Sequence, residues 1–279
     1  MDASLEFSLA YLTLIGTPPL RQVEIASGAG YDYVGIRFNP VAPGEVAFPF
    51  LTDKALVRDF NTHLDELGLR VLDVELIRVG PDDDPDDYRR FMEVAQEVGA
   101  RHLIVQLPDP DRGRAADHLA RLADLAAAHG MTADLEFIPW TPTADLAAAI
   151  DLVDRASHPN AGILVDTLHF DRSHSSLDQI DLVSPDIFRL IQLCDAPGEA
   201  PPDDEAMIQA ARAGRSVPGQ GGLDLEAMVE ALPKVPYSLE VPNEMLRRAL
   251  GDDEFAKLVL DGSRRFVTDI VERERAGGH

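Results

Sequence analysis

Short apolar runs alternate, from one end of the chain to the other, with segments whose apolar residues recur every three to four positions. The runs begin near residues 6, 33, 70, 102, 132, 161, 188 and 238 and read EFSLAYLTL, YVGIRF, VLDVELIRV, HLIVQL, ADLEFI, GILVDT, RLIQLC and SLEV. Rich in Val, Ile and Leu, they predict strands covered on both faces, as in a parallel sheet. The segments between them carry helix punctuation. Thr17 with Pro18, and Asp84 with Pro85, each read as a cap followed by proline at the first helical position. Tyr88, Phe91, Met92, Ala95 and Val98 then form one buried stripe that stops at Gly99, and Thr143 opens a helix with Leu146, Ile150 and Val153 on one face. A last helix is expected from about Asp252 to Arg275, with a frayed tail over residues 273–279.

Most strand starts lie roughly 27–37 residues apart, the length of a strand–helix–strand repeat, and no Gly/Ser/Pro linker interrupts them. Eight such units predict an α/β fold, a single (β/α)8 TIM barrel occupying residues 1–279 as one domain. Two stretches are irregular, residues 39–51 after the second strand and 196–222 between the seventh and eighth. Both fall at the C-terminal face of the predicted barrel, where Phe48 and Phe50 are candidates to close over a site.

Composition narrows the functions. With 279 residues the chain can bury about three quarters of its unfolded surface in one domain. Its 25 Lys and Arg against 49 Asp and Glu leave a net charge of −24, which repels phosphate backbones and anionic lipid, so nucleic acid and membranes are excluded as partners. A single cysteine forms no internal disulfide, and the first residues lack a basic leader, so a cytoplasmic location is expected.

In a barrel of this kind the chemistry sits where the strands end. Strand five ends in Glu136, strand six in Asp166, strand seven carries Gln192 and strand eight ends in Glu240. Period-two alternation lets all four point inward at similar height. Three converging carboxylates repel one another unless a cation joins them, and an all-oxygen set suits Mg²⁺ or Mn²⁺, with Co²⁺ or Zn²⁺ also compatible. The plainer alternative for any one of them is helix capping or pairing with an arginine. Arg37 and Arg78 close strands two and three and suit anion recognition, Glu75 and Gln106 suit hydroxyl binding, and Trp140 can wall a pocket just beyond strand five. Cys194, read as lying on the face opposite Gln192, is assigned to packing.

The motifs ADLEF, VDTLHFDRS, IQLCDAP, PGQGGLDL and SLEVP resemble those of the xylose isomerase-like TIM-barrel superfamily, and the resemblance runs over essentially the whole chain. It implies a divalent metal held by Glu136, Asp166, Gln192 and Glu240, with Glu136 and Glu240 as a base and acid pair. It also implies that His169, three residues beyond Asp166, is an acid or electrophile and that Arg215 contacts substrate. For these two the alternatives are a histidine packed behind the site and a solvated loop arginine. Many sugar epimerases of the superfamily carry H-x-K-D on strand seven, where this chain has Gln192-Leu193-Cys194-Asp195, closer to the 3-dehydroshikimate dehydratase branch. Endonuclease IV, with its histidine-rich zinc site, does not fit.

The expected function is therefore metal-dependent isomerisation or epimerisation of a small polyhydroxylated carbonyl compound through an enediolate. The alternatives are dehydration of 3-dehydroshikimate or an inosose-like ketone, and a non-catalytic barrel serving as a binding subunit. The expected partner is a small polyol or keto substrate, and the resemblance suggests a homodimer.

Overall fold

The eight apolar runs become β1 (Phe7–Leu9), β2 (Tyr33–Arg37), β3 (Arg70–Arg78), β4 (His102–Gln106), β5 (Thr132–Glu136), β6 (Ala161–Asp166), β7 (Phe188–Leu193) and β8 (Tyr237–Leu239). This is a computed structural model, and it describes residues 5–42 and 44–277. Every strand pairs in parallel with its neighbours in sequence, and β8 returns to β1 through Ser8 opposite Ser238, closing the barrel. Closure leaves no strand edge unpaired. The expected (β/α)8 architecture is the observed one.

Among the described residues ten α-helices connect and cover the strands: α1 (Pro19–Ala29), α2 (Lys54–Leu67), α3 (Arg89–Glu97), α4 (Arg112–Ala128), α5 (Leu146–Ala156), α6 (Thr167–Arg172), α7 (Asp204–Ala213), α8 (Leu225–Ala231), α9 (Glu244–Leu250) and α10 (Asp252–Gly277). Several begin at an aspartate whose carboxylate accepts a first-turn N–H, among them Asp53, Asp111, Asp145 and Asp203. Each such cap contributes about 1 kcal/mol and sits at the positive end of the helix dipole. Part of the acidic excess is therefore helix punctuation.

Several local expectations change. The first strand is three residues long, and Tyr11–Leu14 forms a 3₁₀ turn. There the buried Thr13 hydroxyl donates to Leu239 O at 2.7 Å and accepts from Val241 N at 2.8 Å, bending the chain onto β8. Thr17 caps nothing: α1 opens with Pro19, and the Thr17 hydroxyl donates to Asp252 and accepts from Arg247. Thr143 yields the α5 cap to Asp145, its own hydroxyl reaching Leu107 O at 3.4 Å. Asp84 does cap, but it opens a 3₁₀ turn, Pro85–Tyr88, that leads into α3. The last helix runs from Asp252 to Gly277, and residues 278 and 279 of the expected tail lie outside the described part.

The core has two compartments. A large cluster joins the barrel wall to the helices, and a small one of Tyr33, Leu72, Leu76, Ile104, Leu164 and Leu190 plugs the barrel interior beneath the site. Phe50 belongs to the outer cluster, its ring centroid 4.9 Å from that of Phe38 and 5.2 Å from that of Phe60, and Phe48 packs against the same cluster. These two rings do not close over the mouth. Burying one is worth about 1.5–3 kcal/mol, and here that fastens the segment before α2 to the barrel wall. Residues 196–222 are not a plain loop either, because α7 folds within them.

Candidate active site

Strand register brings the polar residues together. Asp166 lies opposite Gln192, Arg37 opposite Glu75, and Arg78 opposite Gln106. Gln192 in turn lies opposite Ser238, two residues before Glu240. Arg37, Glu75, Arg78, Gln106, Gln192 and Glu240 line a cavity of about 120 Å³ at the C-terminal mouth of the barrel.

One half of the mouth is organised by Arg215, only 2% exposed. Its Nη1 donates to Asp166 Oδ2 at 2.6 Å, its Nη2 lies 2.8 Å from Glu240 Oε2, and its Nε donates to Ala211 O. The second Asp166 oxygen accepts from Leu168 N and His169 N at the start of α6, and the second Glu240 oxygen accepts from Gln192 Nε2 at 3.0 Å. Every carboxylate oxygen in this half has a partner. Burial raises the Asp166 carboxyl, but Arg215 and His169 outweigh it and hold the group below its ordinary pKa. For Glu240, burial prevails over Arg215 and, with Glu75, Asp166 and Glu136 nearby, holds the pKa well above the ordinary value.

The conspicuous motifs of the sequence serve Arg215. Asp195 exchanges backbone hydrogen bonds with Ser216, and its carboxylate accepts from the N–H groups of Gly219, Gly221 and Leu223. A Cβ at Gly221 would lie 2.2 Å from Asp195 Oδ1, so only glycine admits this close approach. IQLCDAP and PGQGG are thus one clamp that seats the residue just before it. Cys194 does not lie on the face opposite Gln192: residues two apart in a strand share a face, and Cys194 Sγ lies 3.3 Å from Arg215 Nη1. Burial pushes its thiol up to about 12, in keeping with a packing role.

The other half is less complete. Glu136 Oε2 accepts from Gln106 Nε2 at 2.5 Å, and Gln106 Oε1 accepts from Arg78 Nε and Nη2 at 3.0 and 2.7 Å. The second Glu136 oxygen lies 3.8 Å from His169 Nε2, beyond hydrogen-bond range. Burial, then the charge of Asp166, raises Glu136 to about 7. His169 is buried edge-on against Trp140, ring centroids 5.3 Å apart, and burial lowers its pKa to about 4, so its imidazole is neutral at physiological pH. Among the described residues its Nδ1 has no hydrogen-bond partner, nor has Gln192 Oε1.

Glu136, Asp166 and His169 each offer a ligand atom within 4.8 Å of the others. His169 thus joins the candidate ligands, which the sequence reading left to oxygen donors alone. Of the substrate candidates, Arg215, Arg37, Arg78, Glu75, Gln106 and Trp140 all line the cavity. Arg37 is bound by Glu75 and Glu45, and Arg215, bound by Asp166 and Glu240, is not the solvated loop arginine of the plainer alternative. Glu45, Arg212 and Ile208 were missed. Glu45 is almost fully buried and bridges Arg37 to Arg212 of α7; nothing local in residues 39–51 marks it, because its partner is far away in sequence.

A closed barrel with carboxylates, an amide and a histidine gathered at its C-terminal mouth defines the class. The chain belongs to the xylose isomerase-like TIM barrel family, whose model matches residues 23–258. It is 26% identical over 268 residues to an inosose isomerase of Bacillus velezensis, covering 90% of each chain. It is 30% identical over 266 residues to a 3-dehydroshikimate dehydratase of Pseudomonas aeruginosa, covering 87% of this chain and 39% of that one. Among solved structures, the IOLI protein with a bound zinc atom superposes with a TM-score of 0.74 at 18% identity, over 96% of this chain and 99% of that one. Both sequence relatives are enzymes. Among the described residues no helix is long and apolar enough to cross a membrane.

Proposed function

We propose that this chain is a divalent-metal-dependent enzyme that moves a proton on the carbon beside the carbonyl of a small polyhydroxylated compound, as a sugar or inosose isomerase does. The observation that carries it is the buried gathering of Glu136, Asp166 and His169 ligand atoms. The unpartnered buried acceptor Gln192 Oε1 fits an absent cation, since an orphaned acceptor costs about 1–3 kcal/mol. Glu136, Asp166, Gln192 and Glu240 would hold the ion, with His169 as a nitrogen donor that brings Zn²⁺ into range beside Mn²⁺ and Mg²⁺. The zinc of the solved IOLI protein and the isomerase relative support this reading. When bound, the ion supplies Lewis acidity that polarises the carbonyl.

The chain's own residues divide the remaining work. Glu136 takes the proton from the carbon and returns it to the adjacent carbon, through the oxygen that no protein donor holds within hydrogen-bond range among the described residues. Gln106 holds the other Glu136 oxygen in position. Glu240, engaged by Arg215 and Gln192, anchors rather than exchanges, which narrows the expected Glu136–Glu240 pair to one proton carrier. Trp140 and the apolar plug exclude water from the reacting face.

A one-sided base also favours a second reading, dehydration, supported by the dehydratase relative. The proton taken by Glu136 and a hydroxyl lost from the next carbon with its bonding electron pair leave as water, and a carbon–carbon double bond forms. Incubation of the Mn²⁺-loaded protein in D₂O with an inosose and with 3-dehydroshikimate tests both. Deuterium entering recovered sugar supports isomerisation, and an aromatic ultraviolet absorbance from 3-dehydroshikimate supports dehydration. Failure of the protein to bind any divalent ion, with no exchange on either compound, would sink both.

A further inference from the structure

We propose that Glu75 is the second proton carrier of the site, moving a hydroxyl proton from one substrate oxygen to the next while Glu136 moves the carbon-bound one. The assignment rests on the isomerase reading of the cavity and deepens it. Isomerisation shifts a carbonyl by one carbon and so relocates two protons, one from carbon to carbon and one from the old hydroxyl to the old carbonyl oxygen. Epimerisation relocates only the first. Glu136, with a single open oxygen, carries the carbon proton, and the hydroxyl proton needs an acceptor of its own.

Among the described residues the carboxylates lining the cavity are those of Glu75, Glu136 and Glu240. Glu240 has both oxygens engaged, by Arg215 and Gln192. Glu75 is only 2% exposed; Arg37 donates to its Oε2 through Nε at 3.1 Å and through Nη2, and its Oε1 has no hydrogen-bond partner. A buried acceptor left unmatched is destabilising until a donor reaches it, and a substrate hydroxyl is such a donor. Arg37 is itself fastened by Glu45 and lies 4.8 Å from the centroid of the Tyr11 ring, so one Glu75 oxygen is fixed and the other keeps its aim. The charge of Glu75 raises both Glu136 and Glu240, which places it close to each.

The protons and electron pairs balance. As Glu136 removes the carbon proton, the C–H pair becomes a carbon–carbon double bond and the carbonyl pair moves onto its oxygen. Glu75 Oε1 takes the proton of the neighbouring hydroxyl and delivers it to that oxygen. The oxygen left behind re-forms a carbonyl, and the double-bond pair takes the proton back from Glu136 at the adjacent carbon. Both carboxyl groups end in the state in which they began, and no oxidant or reductant is consumed.

The test follows two signals from the Mn²⁺-loaded protein in D₂O, given an inosose with a heavy-carbon label at its carbonyl: deuterium entering the adjacent carbon, and migration of the carbonyl off the labelled carbon. Wild type is expected to give both. Glu75→Gln, matched in shape, should keep deuterium entry within about tenfold and slow migration by about a hundredfold or more. Glu75→Asp, its carboxylate set back from the substrate, should fall between the two, and it carries the test if the glutamine variant does not fold. A residue that only positions Arg37 or the substrate would slow both signals alike and leave their ratio unmoved. An unmoved ratio in the variants, or deuterium entry without migration in wild type, overturns the role of Glu75 and leaves proton transfer by Glu136 standing. Neither signal in wild type removes the isomerase reading and Glu75 with it. Migration with the carbon hydrogen fully retained assigns a direct hydrogen shift and removes both as well.

Discussion

The two halves of the barrel mouth hold the same kinds of residue but differ in how many of their carboxylate oxygens are hydrogen-bonded, while burial raises a carboxyl in each, Glu240 in one and Glu136 in the other. Around Arg215, Asp166 and Glu240 have every oxygen engaged. Around Glu136 one oxygen is held by Gln106 and the other is nearly alone, facing a neutral histidine at 3.8 Å. A buried carboxylate without a compensating cation costs several kcal/mol, and a protein meets that cost by shifting the pKa toward the neutral form. The contrast teaches where work is available. The Arg215 half is braced at every carboxylate oxygen, and the Glu136 half keeps the oxygen free to take a proton, while an ion held by Glu136, Asp166, Gln192 and Glu240 would draw on both.

The sharpest way to break this contrast is Glu136→Gln. Removing the proton carrier should lower deuterium exchange by about a thousandfold, in the range of lost general-base catalysis, with the fold intact by circular dichroism. A loss under tenfold would move the chemistry to the other half. Arg215→Met attacks the scaffold instead. It leaves Asp166 and Glu240 buried without their cation, so urea denaturation of the metal-free protein near neutral pH should show a loss of about 3–5 kcal/mol. A loss no larger than that of an exposed ion pair would mean that Arg215 does not organise its half.

The titration of Glu136 sharpens the comparison from the opposite direction. Its folded pKa is raised from 4.5 to about 7, so the folded metal-free protein binds more protons than the unfolded chain between those values. The contribution of this group to stability is then full below about 4.5 and falls as pH rises through 7, by up to about 3 kcal/mol. Denaturation of the metal-free protein at pH 5 and pH 8 should record that fall, and Glu136→Gln should remove this component. A component that persists in the variant would assign it elsewhere. Asp195→Ala should have the smallest effect, about 1–3 kcal/mol from the orphaned N–H groups of Gly219, Gly221 and Leu223. Hydrogen exchange should rise at those three amides and at Ser216 while β7 stays protected; uniform protection would mean that the clamp does not depend on Asp195.

Much of this was legible along the chain. Strand starts at residues 33, 70, 102, 132, 161 and 188 match the apolar runs, because a buried strand must be apolar whatever surrounds it. The residues at the strand ends were legible for the same reason: a polar side chain that ends an apolar run in a closed barrel has nowhere to go but the mouth. Caps were harder. Thr17 and Thr143 look like caps locally, yet each spends its hydroxyl on a distant group, Asp252 or Leu107 O. Phe48 and Phe50 look like lid residues, but Phe50 packs against Phe38 and Phe60 and Phe48 packs against the same outer cluster.

The sequence by itself determined the barrel, the eight strands and the ring of Glu136, Asp166, Gln192 and Glu240, since periodicity and strand termini are local properties written into neighbouring residues. Only the tertiary structure decided which acids are neutralised and which of their oxygens a protein donor engages. Those outcomes depend on pairs such as Arg215 with Asp166, Glu45 with Arg212, and Arg78 with Gln106, brought together from separate βα units by barrel closure. Charge compensation in a buried site is a property of distance in space, and a linear pattern of acidic and basic residues carries no measure of it.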